Sequence, residues 1–240
     1  MSRDVCDADG AEIAVPHGKA NRCGFSKMHE SNIIFDLDGT LIDSGSSILM
    51  SLDAAFRAVG VEPVRSLGRD LVGPPLAEIL DSLCDRGVNH ETRNALAAAF
   101  KDHYDERGYK EAAEFDGVSQ VLCALVRQGK KLFLATNKRI APTRKILEHF
   151  EWCELFSEVY TVDVFGRTFS NKTETVSALL RDRAMSPDSA IYVGDRADDY
   201  VAAKANGVRF VMAEWGYGDR STEIPLGISK PRDLLGIAFT

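Results

Sequence analysis

Apolar positions in this chain recur at two different periods, and the switch between them outlines its architecture. Ile33-Ile34-Phe35 is a short unbroken apolar run closed by a turn signal, the pattern of a strand buried on both faces of a parallel sheet. Helical spacing follows. Ile48, Leu49, Leu52, Phe56 and Val59 share one face and stop at Gly60. Leu76, Ile79, Leu80 and Leu83 repeat the stripe and end near Gly87, and Leu96, Ala99, Phe100 and Tyr104 form a third that ends at Gly108. The three stripes predict a small helical unit over residues 44–113.

From residue 117 strands and helices alternate. Val118, Val121, Leu122 and Leu125 predict a helix closed by Gly129, and Lys131–Ala135 a second buried strand. Ile146, Leu147 and Phe150 belong to the next helix, with Pro142 suited to its first turn. Val159–Val164 reads as a strand, Val176, Leu179 and Leu180 as a helix, and Ala190–Val193 as a strand. Ala202, Ala203 and Ala205 sit on a helix stopped by Gly207, ahead of a strand at Val208–Ala213 and a short strand and helix within Leu226–Ile237. Such alternation builds a parallel sheet with helices on both faces, so the fold class is α/β and Rossmann-like. Residues 31–43 and 114–240 form its core domain, and the helical unit is inserted where it can close over the sheet's carboxyl edge. Residues 1–30 are polar, carry Gly10, Pro16, Gly18 and Gly24, and read as a loosely ordered extension, with Met28 as a candidate start.

Composition narrows the function. The 240 residues are 45% hydrophobic and 27% charged, as in a soluble globular protein, and long enough for a sizeable core. A net charge of −7 argues against sequence-independent nucleic-acid binding, which calls for a basic face. Cys6, Cys23, Cys84, Cys123 and Cys153 are scattered without a CxxC pair, which fits reduced thiols better than disulfides or a zinc site. No run of about 18 apolar residues predicts a membrane span. The start of the chain lacks the apolar stretch of a secretory signal. A cytoplasmic protein is expected, with monomer and dimer both open.

Four polar clusters then fall at predicted strand or helix ends. Asp36 and Asp38 follow the first strand two residues apart and are closed by Gly39, so both can converge at the edge where open α/β sheets bind ligands. Acids sharing such a site repel unless one is protonated or a cation sits between them. An Asp/Gly turn is the plainer reading of these residues. Thr136-Asn137-Lys138 follows the second strand, where a hydroxyl and free amides suit either an anion site or a helix cap. Lys172, in Ser170-Asn171-Lys172-Thr173, begins a helix and either meets solvent or supplies a cation for a phosphate. Gly194-Asp195 with Asp198 and Asp199 lies between strand and helix, suited to Mg²⁺ or to capping.

In order and spacing these stretches resemble the motifs of the haloacid dehalogenase-like superfamily of phosphohydrolases: Asp36-Leu37-Asp38-Gly39-Thr40, then Thr136, Lys172, and Gly194-Asp195 with Asp199. Val72-Gly73-Pro74-Pro75-Leu76 and the run from Tyr104 to Gly117 resemble the phosphoglycolate phosphatase-like branch, whose helical cap would correspond to residues 44–113. The resemblance implies a Mg²⁺-dependent phosphatase acting on a small phosphomonoester. In it Asp36 attacks phosphorus to form an aspartyl-phosphate, and Asp38 serves as acid and then base. It implies a metal held by Asp36, the Asp38 backbone carbonyl and Asp195, with Asp199 orienting a bound water. Thr136, the Asn137 amide and Lys172 would grip the phosphoryl oxygens. Asp38 disfavours a dehalogenase, whose halide leaving group needs no proton. A sugar phosphomutase and a nucleoside monophosphate 5'-nucleotidase remain as alternatives. The Val72–Leu76 loop is the expected specificity element, with Arg65, Arg69 or Lys110 either as anion contacts or, the commoner role of such residues, as solvated surface charges. Hinges are expected near Ser44–Ser47 and Glu114–Gly117.

Overall fold

The apolar run Ile33-Ile34-Phe35 is fully buried because it forms the middle of a parallel sheet. The computed structural model describes residues 31–218, 224 and 226–237, so the expectation for residues 1–30 lies outside the described residues. In chain order, β1 (Asn32–Phe35) and β2 (Ile42–Asp43) lead into α1 (Gly45–Val59), α2 (Leu76–Leu83) and α3 (His90–Glu106). The chain returns through β3 (Ala113–Glu114), α4 (Val118–Arg127), β4 (Lys131–Ala135), α5 (Ile140–His149) and β5 (Phe156–Tyr160). It then runs α6 (Lys172–Asp182), β6 (Ala190–Gly194), α7 (Ala197–Ala205), β7 (Arg209–Ala213) and β8 (Gly227–Ile228).

The main sheet has the order β5-β4-β1-β6-β7-β8, and all its pairings are parallel. Successive side chains point to opposite faces, so each strand feeds two cores. Ile33, Phe35, Leu132 and Leu134 pack with Val121, Leu125, Ile146 and Leu147 of α4 and α5. Ile34, Phe133 and Tyr192 pack with Val176, Leu179, Ala202 and Ala203 of α6 and α7 on the other face. After β5 the chain crosses from one side of β1 to the other, and a crevice forms at the carboxyl ends where that reversal occurs.

The first three helices have their own core, in which Leu52, Phe56, Leu80, Leu83, Leu96 and Phe100 are buried together. Asn89 caps α3 by accepting from the Thr92 amide at 2.8 Å, which starts that helix six residues before its apolar stripe. The antiparallel ribbon β2–β3 roots the helical unit, with Ile42 opposite Glu114 and Asp43 opposite Ala113. Both expected hinge segments flank this ribbon.

The strand expected at Val159–Val164 is displaced, since β5 occupies Phe156–Tyr160. Its partner β4 ends at Ala135, opposite Tyr160, and an edge strand has nothing to pair with beyond that point. Thr161 and Asp163 turn the chain instead, and Val164 is buried from a 3₁₀ turn over Val164–Gly166. The apolar signal there was real, but it reported burial and not extension.

Candidate active site

Where β1 ends, the chain folds into a tight loop: the amides of Thr40, Leu41 and Ile42 all turn back to the Leu37 carbonyl. Gly39 holds φ at +85°, and a Cβ there would run into the Asp195 carboxylate. Gly216 is confined likewise, between the Asp195 side chain and the Gly39 carbonyl. The loop therefore presses against the end of β6 with no room for a side chain. The Asp36 amide donates to the Val193 carbonyl at 2.9 Å, which sets Asp36 beside Gly194-Asp195. On the other side, Phe35 opposite Leu134 brings Thr136 to the same edge.

Asp36, Asp195 and Asp199 gather here, each offering a carboxylate oxygen within 4.8 Å of the others, and all three are buried. Lys172, itself only 3% exposed, enters from the first turn of α6. Its ammonium is hydrogen-bonded to Asp199 and stands 3.2 Å from Asp36 Oδ1. Asp199 Oδ2 also accepts from the amides of Asp195 at 3.1 Å and Arg196 at 2.9 Å. The cap thus falls on Asp199 and not on the pair Asp195 and Asp198 that sequence spacing suggests, and the same residue joins the acidic cluster. Asp195 is oriented by the Tyr217 amide at 2.7 Å and by the Thr40 hydroxyl at 3.4 Å.

Burial raises the Asp36 carboxyl well above the usual carboxylate range; Lys172 opposes this, and Asp199, Asp195 and Asp38 add to it. Burial and then the charge of Asp199 push Asp195 up to about 7. Burial alone would lower the Lys172 ammonium, but Asp199 and Asp36 outweigh it and hold it well above the lysine range. One ammonium thus faces three crowded acids.

The Asp38 carboxylate faces elsewhere. It accepts from the Ser44 hydroxyl at 2.5 Å and pairs with Lys138 Nζ at 3.1 Å, so it does not join the acidic cluster. Lys138 also donates to the Tyr104 hydroxyl of α3 at 3.0 Å and lies 4.4 Å from that ring's centre. Burial would lower this ammonium, but Asp38 and Tyr104 prevail and raise it. Sequence reasoning quoted Lys138 only as the end of its triplet; its one signal was a cation directly following two polar site candidates. Arg196 was missed as well. Its Nη1 donates to the Val72 carbonyl at 2.9 Å, and it fills the space beside Gly73.

Thr136 is buried, and its hydroxyl accepts from the Lys138 amide at 3.3 Å. The Asn137 side-chain amide reaches the Gly73 carbonyl at 3.3 Å and Asp198 at 3.4 Å, while its Oδ1 is buried without a hydrogen-bond partner among the described residues. The structure therefore brings Asp36, Lys172, Asp195 and Asp199 into direct contact, with Asp38, Thr136 and Asn137 around them. Arg65, Arg69 and Lys110 do not line the adjoining cavity, which favours their reading as surface charges over anion contacts. Arg65 is instead paired with Asp70 at 2.8 Å, and Lys110 lies over the Tyr109 ring.

A hard dication fits this donor set. Among the described residues, Asp36 Oδ1 is buried with no hydrogen-bond partner, and three carboxylates share one ammonium. The sign of the pH effect follows. Asp195 has its folded value raised, so the stability it contributes is full below the ordinary carboxylate range and is lost as pH rises through about 7. Mg²⁺ at about 100 times its Kd is therefore expected to raise the melting temperature of metal-free protein by roughly 5–10 °C at pH 8. The shift at pH 5 should be much smaller, as read by thermal denaturation; equal shifts at the two pH values would place the ion elsewhere.

Among the described residues, no helix is long and apolar enough to cross a membrane. Tyrosine-protein kinase PtkA of Mycobacterium tuberculosis is 34% identical over 187 residues, which are 78% of this chain and 62% of the kinase's own length. The chain thus spans less than two thirds of that relative. The solved structure of PtkA superposes with a TM-score of 0.71 at 30% identity, over 87% of this chain and 99% of the solved one. A 5'-nucleotidase of Pseudomonas aeruginosa is 32% identical over 78% of this chain and 84% of its own length. A phosphoglycolate phosphatase of Aquifex aeolicus is 29% identical over 85% and 94%. The sequence profile of the haloacid dehalogenase-like hydrolases matches residues 33–213, the span that carries every cluster described above, and the chain belongs to that family.

Proposed function

We propose that this protein is a Mg²⁺-dependent phosphatase, phosphoglycolate phosphatase-like, that hydrolyses a small phosphomonoester through an aspartyl-phosphate on Asp36. The observation that carries this reading is Asp36 itself. It is a buried carboxylate at the carboxyl end of the central strand, with one oxygen lacking a hydrogen bond among the described residues and a lysine ammonium 3.2 Å from that oxygen. Asp36, Asp195, Asp199 and the Asp38 carbonyl would hold the Mg²⁺, whose charge offsets repulsion between the nucleophile and a phosphate dianion. Lys172, the Thr136 hydroxyl and the Asn137 amide grip the phosphoryl oxygens. The Asp36 carboxylate attacks phosphorus, and the bond to the ester oxygen breaks with its electron pair leaving on that oxygen. Protonated Asp38 gives its proton to the departing alkoxide, then takes one from the water that cleaves the Asp36–phosphorus bond. Helices α1 to α3 act as a cap that shields these steps and moves about the β2–β3 ribbon to admit the ester.

A cytoplasmic location belongs to this reading, supported by the free thiols of Cys84, Cys123 and Cys153, which suit a reducing compartment. A nucleoside monophosphate is the second reading of the substrate. It is favoured by a cavity of about 600 Å³ that opens from Asp38 and by the likeness to a 5'-nucleotidase.

The test is phosphate release from alkyl phosphomonoesters with Mg²⁺ and with chelator, for the native protein and Asp38→Asn. Chelation should abolish release and added Mg²⁺ restore it. Asp38→Asn is expected to lose about 10²–10⁴-fold on alkyl esters, whose leaving group needs a proton. It should lose far less on p-nitrophenyl phosphate, whose leaving group does not. An equal loss on both would remove Asp38 from the proton-transfer role.

A further inference from the structure

Between the first three helices and the sheet edge lies a cavity of about 600 Å³ that reaches Asp38, Asn137 and Lys138 at its inner end. A two-carbon hydroxy acid needs roughly 100 Å³, the share of about three water molecules. The excess is not the result of an undocked cap. Arg196 is bound to the Val72 carbonyl at 2.9 Å and Asn137 to the Gly73 carbonyl at 3.3 Å. Lys138 is bound to Tyr104 at 3.0 Å, and Arg139 clasps Asp105 with bonds of 2.7 and 3.1 Å. The helices are tied to the sheet edge by four residues, and the cavity persists.

Its charge is balanced. Asp38, Glu78 and Asp163 face Lys101, Lys138 and Arg139 in its lining. Lys138 and Arg139 are already committed to Asp38 and Asp105. A leaving group with its own carboxylate finds no surplus positive charge. What the lining does offer is apolar surface from Leu71, Leu76, Ile79 and Phe100. The Phe100 ring, stacked on that of Tyr104 with centroids 5.6 Å apart and planes 13° apart, is part of that apolar lining. An apolar lining with an aromatic member accepts a planar ring.

We propose that the favoured substrate is a phosphomonoester whose leaving group carries an uncharged aromatic or heteroaromatic ring, and that Leu76, Ile79 and Phe100 select it. The proposal rests on the phosphatase reading above. Two sources share this chemistry, a nucleoside 5'-monophosphate and an aryl or arylalkyl phosphate.

The test is kcat/KM for the native protein with Mg²⁺ on benzyl phosphate, 2-phenylethyl phosphate, 5'-AMP and 2-phosphoglycolate. All four release an alkoxide, so their comparison isolates recognition from leaving-group chemistry. At least one ring-bearing ester is expected to exceed 2-phosphoglycolate by about tenfold or more, carried mainly by KM, the order that filling an apolar pocket supplies. The better of 5'-AMP and the arylalkyl esters identifies the source. Leu76→Trp, which fills the cavity from the partly buried start of α2, should lower the ratio of ring-bearing ester to 2-phosphoglycolate by a similar factor. A preference for 2-phosphoglycolate, or a ratio unmoved by Leu76→Trp, overturns the proposal while the phosphatase reading stands. Phosphate release from none of the four, or release that survives Asp36→Asn, overturns the phosphatase reading itself. The native panel decides the question if Leu76→Trp fails to fold.

Discussion

Asp36→Asn is expected to lose at least about 10⁴-fold in phosphate release while folding normally, because an amide cannot act as the nucleophile that splits the reaction in two. Stability should move the other way. Asp36 is buried beside Asp195 and Asp199 with Lys172 as its one ion-pair partner among the described residues, and burial already drives its carboxyl toward the neutral form. An isosteric neutral side chain removes that burden. The variant should therefore melt at or above the native protein without Mg²⁺, yet gain less from added Mg²⁺ because the donor set has lost a charge. Phosphate release, mass spectrometry of rapidly quenched protein and melting curves with and without Mg²⁺ check all of this. Turnover within tenfold of native, or an adduct on another residue, would reject Asp36 as the attacking group.

Lys172→Met is expected to damage fold and catalysis together. Its ammonium is the one cation in contact with Asp36 and Asp199 among the described residues, and both the lysine and the two acids are buried. Removing one side of a buried ionic cluster typically costs about 3–5 kcal/mol. For a chain of this size that is a fall of roughly 6–20 °C in melting temperature. Turnover should fall by about 10²–10³-fold, as when a preorganised donor to a developing charge is lost. Mg²⁺ should restore much of the melting temperature but not the turnover, since it neutralises the acids without gripping the phosphoryl oxygens. Recovery of both by Mg²⁺ would reduce Lys172 to a structural counter-ion.

Much of this was readable in the chain because local signals and tertiary demands agree. Ile33–Phe35 and Lys131–Ala135 are strands whose apolar runs are buried on both faces, and the acids at their ends fall where a parallel sheet places its ligands. Asp36, Lys172 and the neighbouring pair Asp195 and Asp199 lie far apart in sequence, and the strand order brings them together. A resemblance assigned these motifs to one site where periodicity could not. What stayed hidden depends on orientation. The two aspartates after β1 were expected to converge, yet the loop turns Asp38 toward Ser44 and Lys138, away from the cluster around Asp36. Arg65 and Lys110 are cations on the expected unit, but they meet Asp70 and Tyr109 before they meet the cavity. Val164 shows the limit of apolar periodicity, which registers burial and cannot tell a strand from a buried turn.

The anchoring of Asp38 has a kinetic corollary. Its carboxylate is steadied by Ser44, at the foot of α1, and through Lys138 by Tyr104, far along α3. Both tethers belong to the helices proposed to pivot. Swinging them outward would unclamp Asp38 at the moment solvent enters. Hydrolysis of the aspartyl-phosphate would then wait until the lid seats again and realigns its base.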